Sequence, residues 1–423
     1  MIGFIKKNYI VIIVCIFIVV CSVCFGIAYI NRDTNSNSSS ITNNSASNIS
    51  ADYTNIDYGD DIELVGEEIT SGGSYDITGE HSTIIIDTTD NVELKLNNAT
   101  ITGEDGPAIY VVSAKNVSIV LSGENTINSN TTEELDGAIY SKSDLIFSGD
   151  GTINITSNYD GIVSKDTLLI NSGTYNIESQ DDGIRGKDNV VIVDGVFNIN
   201  SVGDGIKASN DEDSTKGYIV IDNGTFNIRT TGNTSNGSSK GIKAVTSLEI
   251  NGGTYTLNTV DDSIHCDGDI SISGGEFNIT SKDDGIHADG LVQITGGNIS
   301  ITSSEGIEAT YVKIDNGTIN ISASDDGINA TNKSSKYSVL VEINGGDITI
   351  KMGQGDTDGV DSNGNITING GTIRVTGQST FDYDGTGTIN GGTVICNGEE
   401  VSTLPNQFMG GGPGGQGGPN GRR

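Results

Sequence analysis

The chain has 423 residues, a formal net charge of −34, 59 glycines, four prolines and no tryptophan. Such a polyanion repels nucleic acid, which excludes DNA or RNA as a partner. Three of the five cysteines, Cys15, Cys21 and Cys24, sit in one N-terminal apolar run, leaving Cys266 and Cys396 and hence no disulfide framework.

Lys6 and Lys7 precede an uncharged stretch from Tyr9 to Ile30, long enough to cross a bilayer with a cytoplasmic N-terminus and the remainder exported. A signal peptide cut after Gly26-Ile27-Ala28 is the competing reading, so residues 1–32 are expected to be an anchor or a signal. Residues 33–52, almost all Ser, Asn, Thr and Ala, read as a solvated linker. Folded sequence is expected over 53–404, with Ser82–Ile86 and Val92–Leu96 in the first coils and capping that end. A Gly/Pro-rich disordered tail then fills 405–423.

Within 53–404 one element recurs: Gly106-Pro107-Ala108-Ile109, Asp136-Gly137-Ala138-Ile139, Asp160-Gly161-Ile162, and then copies centred on Gly183, Gly205, Gly241, Ser263, Gly285, Gly306, Gly327 and Gly359. Seven of the ten intervals between these centres lie between 21 and 24 residues, and the three long ones read as one coil plus an inserted loop. Each unit holds three period-two segments, as in Leu248-Glu249-Ile250, Thr254–Asn258 and Ile264-His265-Cys266, with Asn251-Gly252-Gly253 at the first corner. Three short strands and three corners in about 22 residues are the proportions of one coil of a parallel β-helix, an all-β solenoid.

The alternation assigns faces. The Ile of the third strand and the Ala, Gly or Ser two places later point inward, so Cys266 reads as a small core residue. In the second strand Phe197, Phe226, Tyr255 and Phe277 stack inward, and Asn154, Asn176, Asn198, Asn227, Asn278 and Asn320 form an outward ladder that satisfies neighbouring amides.

Two ladders could carry chemistry. The acidic one includes Asp160, Asp182, Asp204, Asp262, Asp284 and Asp326, doubled by Asp181, Asp261, Asp283 and Asp325. Carboxylates stacked about 4.8 Å apart repel by about 3.5 kcal/mol at an effective dielectric of 20. They either cap their own turns through backbone amides or hold calcium, a cation that takes six to eight oxygens in loose geometry. The second ladder is the outward residue after Ile: Arg185, Lys207, Lys243, His265 and His287 on successive coils. It either binds a linear anionic polymer or neutralises the acidic ladder, and the two histidines add a transition-metal or pH-dependent element.

The run Gly103–Val111, the following Val117–Ile127 and the repeated Asp-Asp-Gly-Ile units resemble the bacterial carbohydrate-binding β-helix family, itself similar to pectate-lyase-like helices. The resemblance covers about residues 55–400 and implies a right-handed coil, calcium and a polysaccharide ligand, acidic or cellulosic, bound without clear catalytic activity. The leading reading is a surface-anchored, non-catalytic binder of an acidic, polygalacturonate-like polysaccharide. Lys240 and Ser263 depart from the Asp-Gly pattern, which puts a metal in doubt between those coils. Two alternatives stand beside the binder: a structural or adhesive surface rod, and a calcium-dependent lyase with Arg185 as base.

Overall fold

The structure, a computed structural model, describes residues 46–51, 53–233, 237–354 and 357–406. The chain divides into two units, Met1–Asn43 and Asn44–Arg423; the expected anchor, most of the linker and nearly all of the expected tail fall outside the described residues. Among the described residues no helix is long and apolar enough to cross a membrane.

Alternating apolar residues between glycine corners give short strands, three per turn of chain. One turn is Ser247–Ile250, Thr254–Thr259 and Ile264–Cys266. Each strand pairs in parallel with its equivalent in the next turn: Ser247 with Asp269, Thr254 with Glu276 and Ile264 with Ile286. Repeated along the chain, this yields three parallel stacks, one for each strand of the turn, which is a solenoid architecture. The long intervals behave as insertions: Ile206 pairs directly with Ile242, so the extra residues loop out without breaking the stack.

The start of the stack differs from expectation. A further turn, Asp61–Ile62 and Glu68–Ile69, precedes the turn of Gly73–His81 and Ile84–Asp87, which stacks on it in parallel and is followed by Asn91–Gly103. Its terminal strand is only two residues long, which keeps the open sheet edge small. At the other end Glu399–Val401 turns back antiparallel on Thr393–Cys396.

The interior is the inward row of each stack. Ile184, Ile206, Ile242, Ile264 and Ile286 are all fully buried, each contributing about 1.5–3 kcal/mol relative to exposure. Tyr175, Phe197, Phe226, Tyr255 and Phe277 form a continuous face-to-face column with centroids 4.5–5.0 Å apart. Glycine is required at the corner beneath this column. Gly253 adopts φ +101°, and a Cβ there would lie 3.0 Å from the Tyr255 hydroxyl oxygen. Cys266 is a free, fully buried thiol packed in this core.

The first-strand stack is apolar on its outer side as well, at Ile146, Leu169, Val191 and Val220. A short helix, α1 (Ala46–Ala51), and the following Tyr53 and Ile56 cover that patch. The Ala46 N–H donates to Asp222 Oδ1 (2.9 Å), the Ser50 hydroxyl to Asn171 Oδ1 (2.5 Å) and the Tyr53 hydroxyl to Asp144 Oδ2 (3.2 Å). The end of the expected linker is therefore structured: doubly apolar strands such as Leu168-Leu169-Ile170 need a cover on both faces.

Candidate functional site

The acidic ladder lies at the corner between second and third strands, and stacking in register decides what its carboxylates meet. Oδ1 of each residue accepts a hydrogen bond from the main-chain N–H of the equivalent residue one coil on: Asp182 to Asp160 (2.9 Å), Asp204 to Asp182 (2.8 Å) and Asp284 to Asp262 (3.2 Å). Lys240 donates in the same way to Asp204 (2.8 Å), and Asp358 to Asp326 (3.1 Å). The expected capping exists, but it joins neighbouring turns instead of closing each Asp on its own.

The second carboxylate oxygens face the basic ladder. Arg185 Nη2 lies 2.5 Å from Asp136 Oδ2 and 2.7 Å from Asp160 Oδ2. Lys207 Nζ sits midway between Asp182 and Asp204, 3.0 Å from each. Lys240 bridges Asp261 (2.8 Å) and Asp262 (2.6 Å), which relieves the charge where the Asp-Gly pattern lapses. Nδ1 of His265 contacts Asp262 at 2.8 Å, and Nδ1 of His287 contacts Asp284 at the same distance. Burial works against the Lys207 charge, yet Asp182 and Asp204 outweigh it and hold the ammonium above its ordinary range. Arg185 is half-buried, and Asp160 with Asp136 keeps it protonated, the opposite of what a base requires. Lys243 is half-buried and makes no ion pair among the described residues. Asp181 and Asp283 occupy the exposed flank of the ladder.

Towards the C-terminus the same ladder has a different chemistry. The outward third-strand positions become Glu308, Asn329, Asp361 and Asp382, stacked in register. Lys333 pairs with Glu308 at 2.6 Å, but no ion pair reaches Glu305, Asp325, Asp326 or Asp361 among the described residues. Burial pushes Asp326 up to about 7, with Asp361 and Asp325 adding to it. It pushes Glu305 to about 8, against a hydrogen bond from Asn329, and Asp361 to about 6 with help from Asp358 and Asp382. Asn329 Oδ1 is buried without a hydrogen-bond partner.

The outward face of the second-strand stack also divides in two. Asn176, Asn198 and Asn227 each donate through Nδ2 to the Oδ1 of the preceding asparagine, at 2.7, 2.8 and 2.9 Å, starting from Asn154. Thr256 and Ser300 then interrupt the ladder. Asn278 and Asn320 are exposed and form no side-chain hydrogen bond among the described residues. With Ser300, Ser322, Thr349 and Lys351 they line a depression of about 210 Å³. The expectation that all six amides satisfy one another therefore holds for four of them. The gaps at Thr256 and Ser300, and an outward Lys351, were the available sequence signals for a separate polar platform. A larger open groove, about 600 Å³, follows the corner at Gly149, Gly173 and Gly195, but Asp150 and Asp194 line it and repel an anionic chain.

The sequence model of a family described as carbohydrate-binding domain-containing protein matches residues 66–305 and 281–403. A solved structure titled as a polysaccharide lyase-like protein from C. thermocellum, gadolinium derivative, is similar at 16% identity, covering 80% of this chain and 94% of that one; its TM-score of 0.21 supports no argument. No curated protein matches the chain.

Proposed function

Since the chain belongs to the family of carbohydrate-binding domain-containing proteins, we propose that it is a non-catalytic binder that holds an extended polysaccharide along the outer second-strand face between Thr254 and Thr376. The carrying observation is the unused hydrogen-bonding capacity of Asn278 and Asn320 beside the hydroxyls of Ser300, Ser322 and Thr349. In-register coils repeat these groups about every 4.8 Å, on the scale of one sugar ring, so a linear glycan can meet the same chemistry coil after coil. Exposed Lys351 supplies the positive charge that favours a uronate polymer over a neutral one.

In this reading the coil is right-handed with about 22 residues per turn, and the protein is exported and held at the cell surface by its N-terminal segment. The basic ladder contributes to glycan contact chiefly through Lys243, because Arg185, Lys207, His265 and His287 are engaged by carboxylates.

Calcium dependence belongs to the same reading. Most of the expected ligands, Asp160, Asp182, Asp204, Asp261, Asp262 and Asp284, already meet an internal cation or histidine. Asp160, Asp181 and Asp182, and Asp261, Asp262 and Asp283, bring carboxylate oxygens within 4.8 Å of one another. Asp325 and Asp326 with Glu305 and Asp361, by contrast, repel one another and form no ion pair among the described residues, so the need for a cation is greater there. Calcium bound there would supply the missing positive charge.

The test is retention of the full-length chain on polygalacturonate, cellulose and a neutral control, each with calcium and with chelator. Calcium-dependent retention on the acidic polymer, reduced about tenfold by Asn278→Ala with Asn320→Ala, is expected. Retention unchanged by that pair would move the site elsewhere, and none on any polymer would leave a structural surface stack.

A further inference from the structure

Two successive coils carry the same short pattern, Asp262-Ser263-Ile264-His265-Cys266-Asp267 and Asp284-Gly285-Ile286-His287-Ala288-Asp289. In-register pairing puts His265 directly beside His287, with ring centroids 4.9 Å apart. Both rings turn Nδ1 towards the acidic ladder. His265 Nδ1 is 2.8 Å from Asp262 Oδ2; His287 Nδ1 is 2.8 Å from Asp284 Oδ2 and 3.7 Å from Asp262 Oδ2. We propose that His265, His287 and Asp262, whose ligand atoms all lie within 4.8 Å of one another, form a binding site for a divalent transition metal of the zinc class, with Asp284 holding His287 from the side.

Three features support this beyond proximity. First, a tetrahedral ion with bonds of 2.0–2.2 Å needs donor atoms about 3.3 Å apart, with solvent free to take the fourth position; the distances from Asp262 Oδ2 to Nδ1 of His265 and of His287, 2.8 and 3.7 Å, bracket that value. Second, the rings are backed as metal-ligating imidazoles are. His265 Nε2 meets Asp267 Oδ1 at 2.8 Å, and His287 Nε2, buried without a hydrogen bond, faces Asp289 Oδ1 at 3.6 Å. A carboxylate behind the distal nitrogen fixes tautomer and orientation and makes the ligand more basic. Third, two imidazoles with a carboxylate select zinc, copper, nickel or iron, whereas calcium and magnesium take oxygen.

The surroundings are compatible with exchange. Lys240 Nζ contacts Asp262 Oδ2 at 2.6 Å and competes for it, but its second contact, Asp261 Oδ1 at 2.8 Å, remains when the metal takes Asp262. Glu308 Oε2 approaches His287 Nδ1 to 3.3 Å and is held by Lys333 at 2.6 Å, which leaves it outside the ligand set. Binding displaces the proton from each Nδ1 while Nε2, facing Asp267 or Asp289, carries one; a ring that starts protonated on both nitrogens releases one proton to solvent, and a neutral ring only changes tautomer.

The chelator-stripped, full-length chain should bind one Zn²⁺ at this site by calorimetry, and Co²⁺ in its place should show the visible absorption of a tetrahedral site. His265→Ala with His287→Ala should abolish the Co²⁺ spectrum and remove one Zn²⁺ from the stoichiometry; His81→Ala, at the remaining histidine, should change neither. Asp267→Asn with Asp289→Asn, whose side chains are 47% and 42% exposed, keeps the ladder intact and should weaken Zn²⁺ about 10–100-fold. That second pair decides the matter even if the alanine pair does not fold. No Co²⁺ spectrum, unchanged affinity in Asp267→Asn with Asp289→Asn, or displacement of Zn²⁺ by excess Ca²⁺ would each overturn the proposal. None of these readouts depends on polysaccharide.

Discussion

Two stretches of one ladder meet the same electrostatic problem with different partners. From Asp136 to Asp284 nearly every buried carboxylate meets Arg185, Lys207, Lys240, His265 or His287. From Glu305 to Asp384 the backbone stacking continues, but the outward third-strand partners are Asn329, Asp361 and Asp382. Backbone register forces carboxylates to about 4.8 Å in both. Where a cation is built in, burial of Asp204 is outweighed by Lys207, which holds it below its ordinary range, although burial still lifts Asp160 to about 8 and Asp284 to about 6 against Arg185 and His287. Where none is, burial lifts Asp326 to about 7 and Glu305 to about 8 with no ion pair among the described residues opposing it, so they take protons near neutrality or an external cation. The first stretch is thus a structural zipper, and the second is open to a ligand.

The sharpest way to break this contrast is to remove a built-in cation. Lys207→Met strands Asp182 and Asp204, both almost fully buried, and should cost about 3–5 kcal/mol in thermal unfolding. Asp326→Asn should do the reverse and raise the midpoint by about 2–4 °C in chelator at pH 8. A Lys207→Met loss under about 1 kcal/mol would mean that the zipper is no more than surface pairing.

A pH scan sharpens the contrast next. Glu305, Asp326 and Asp361 hold protons in the fold up to about 8, 7 and 6, and Asp160 and Asp284 in the first stretch up to about 8 and 6, whereas free carboxyls lose them near 4. Across that window the folded chain binds more protons than the unfolded one, so stability falls as pH rises. In chelator the melting midpoint should therefore drop steadily from pH 5 to pH 8.5, and calcium should flatten the slope. A midpoint that is level or rising in chelator would show that these groups ionise freely.

The smallest effects concern the asparagines. Asn176→Ala interrupts the engaged ladder and should cost about 0.5–1.5 kcal/mol. Asn278→Ala, whose amide is unengaged, should stay within about 0.5 kcal/mol while weakening glycan retention. Equal stability losses at both positions would erase the distinction between zipper and platform.

Much of this was legible in the chain itself. Period-two runs between glycine corners, recurring with the Asp-Gly-Ile unit, determined an all-β parallel repeat, and the alternation alone placed the Ile and aromatic columns inside, because a pleated strand has only two faces. The sequence also placed an acidic and a basic ladder side by side. What it left open was which oxygen meets which donor. Only stacking decided that Asp160 caps the turn after it, that Lys207 lies between two coils, and that both histidines aim Nδ1 at one carboxylate pair. Likewise the sequence of 46–51 is polar and small, and only the apolar outer face of Ile146, Leu169, Val191 and Val220 gave it a place to fold. Periodicity is a property of each strand alone, whereas the capping of one coil by the next and the surface cover depend on neighbours 22 to 176 residues away, which only the tertiary structure brings into contact.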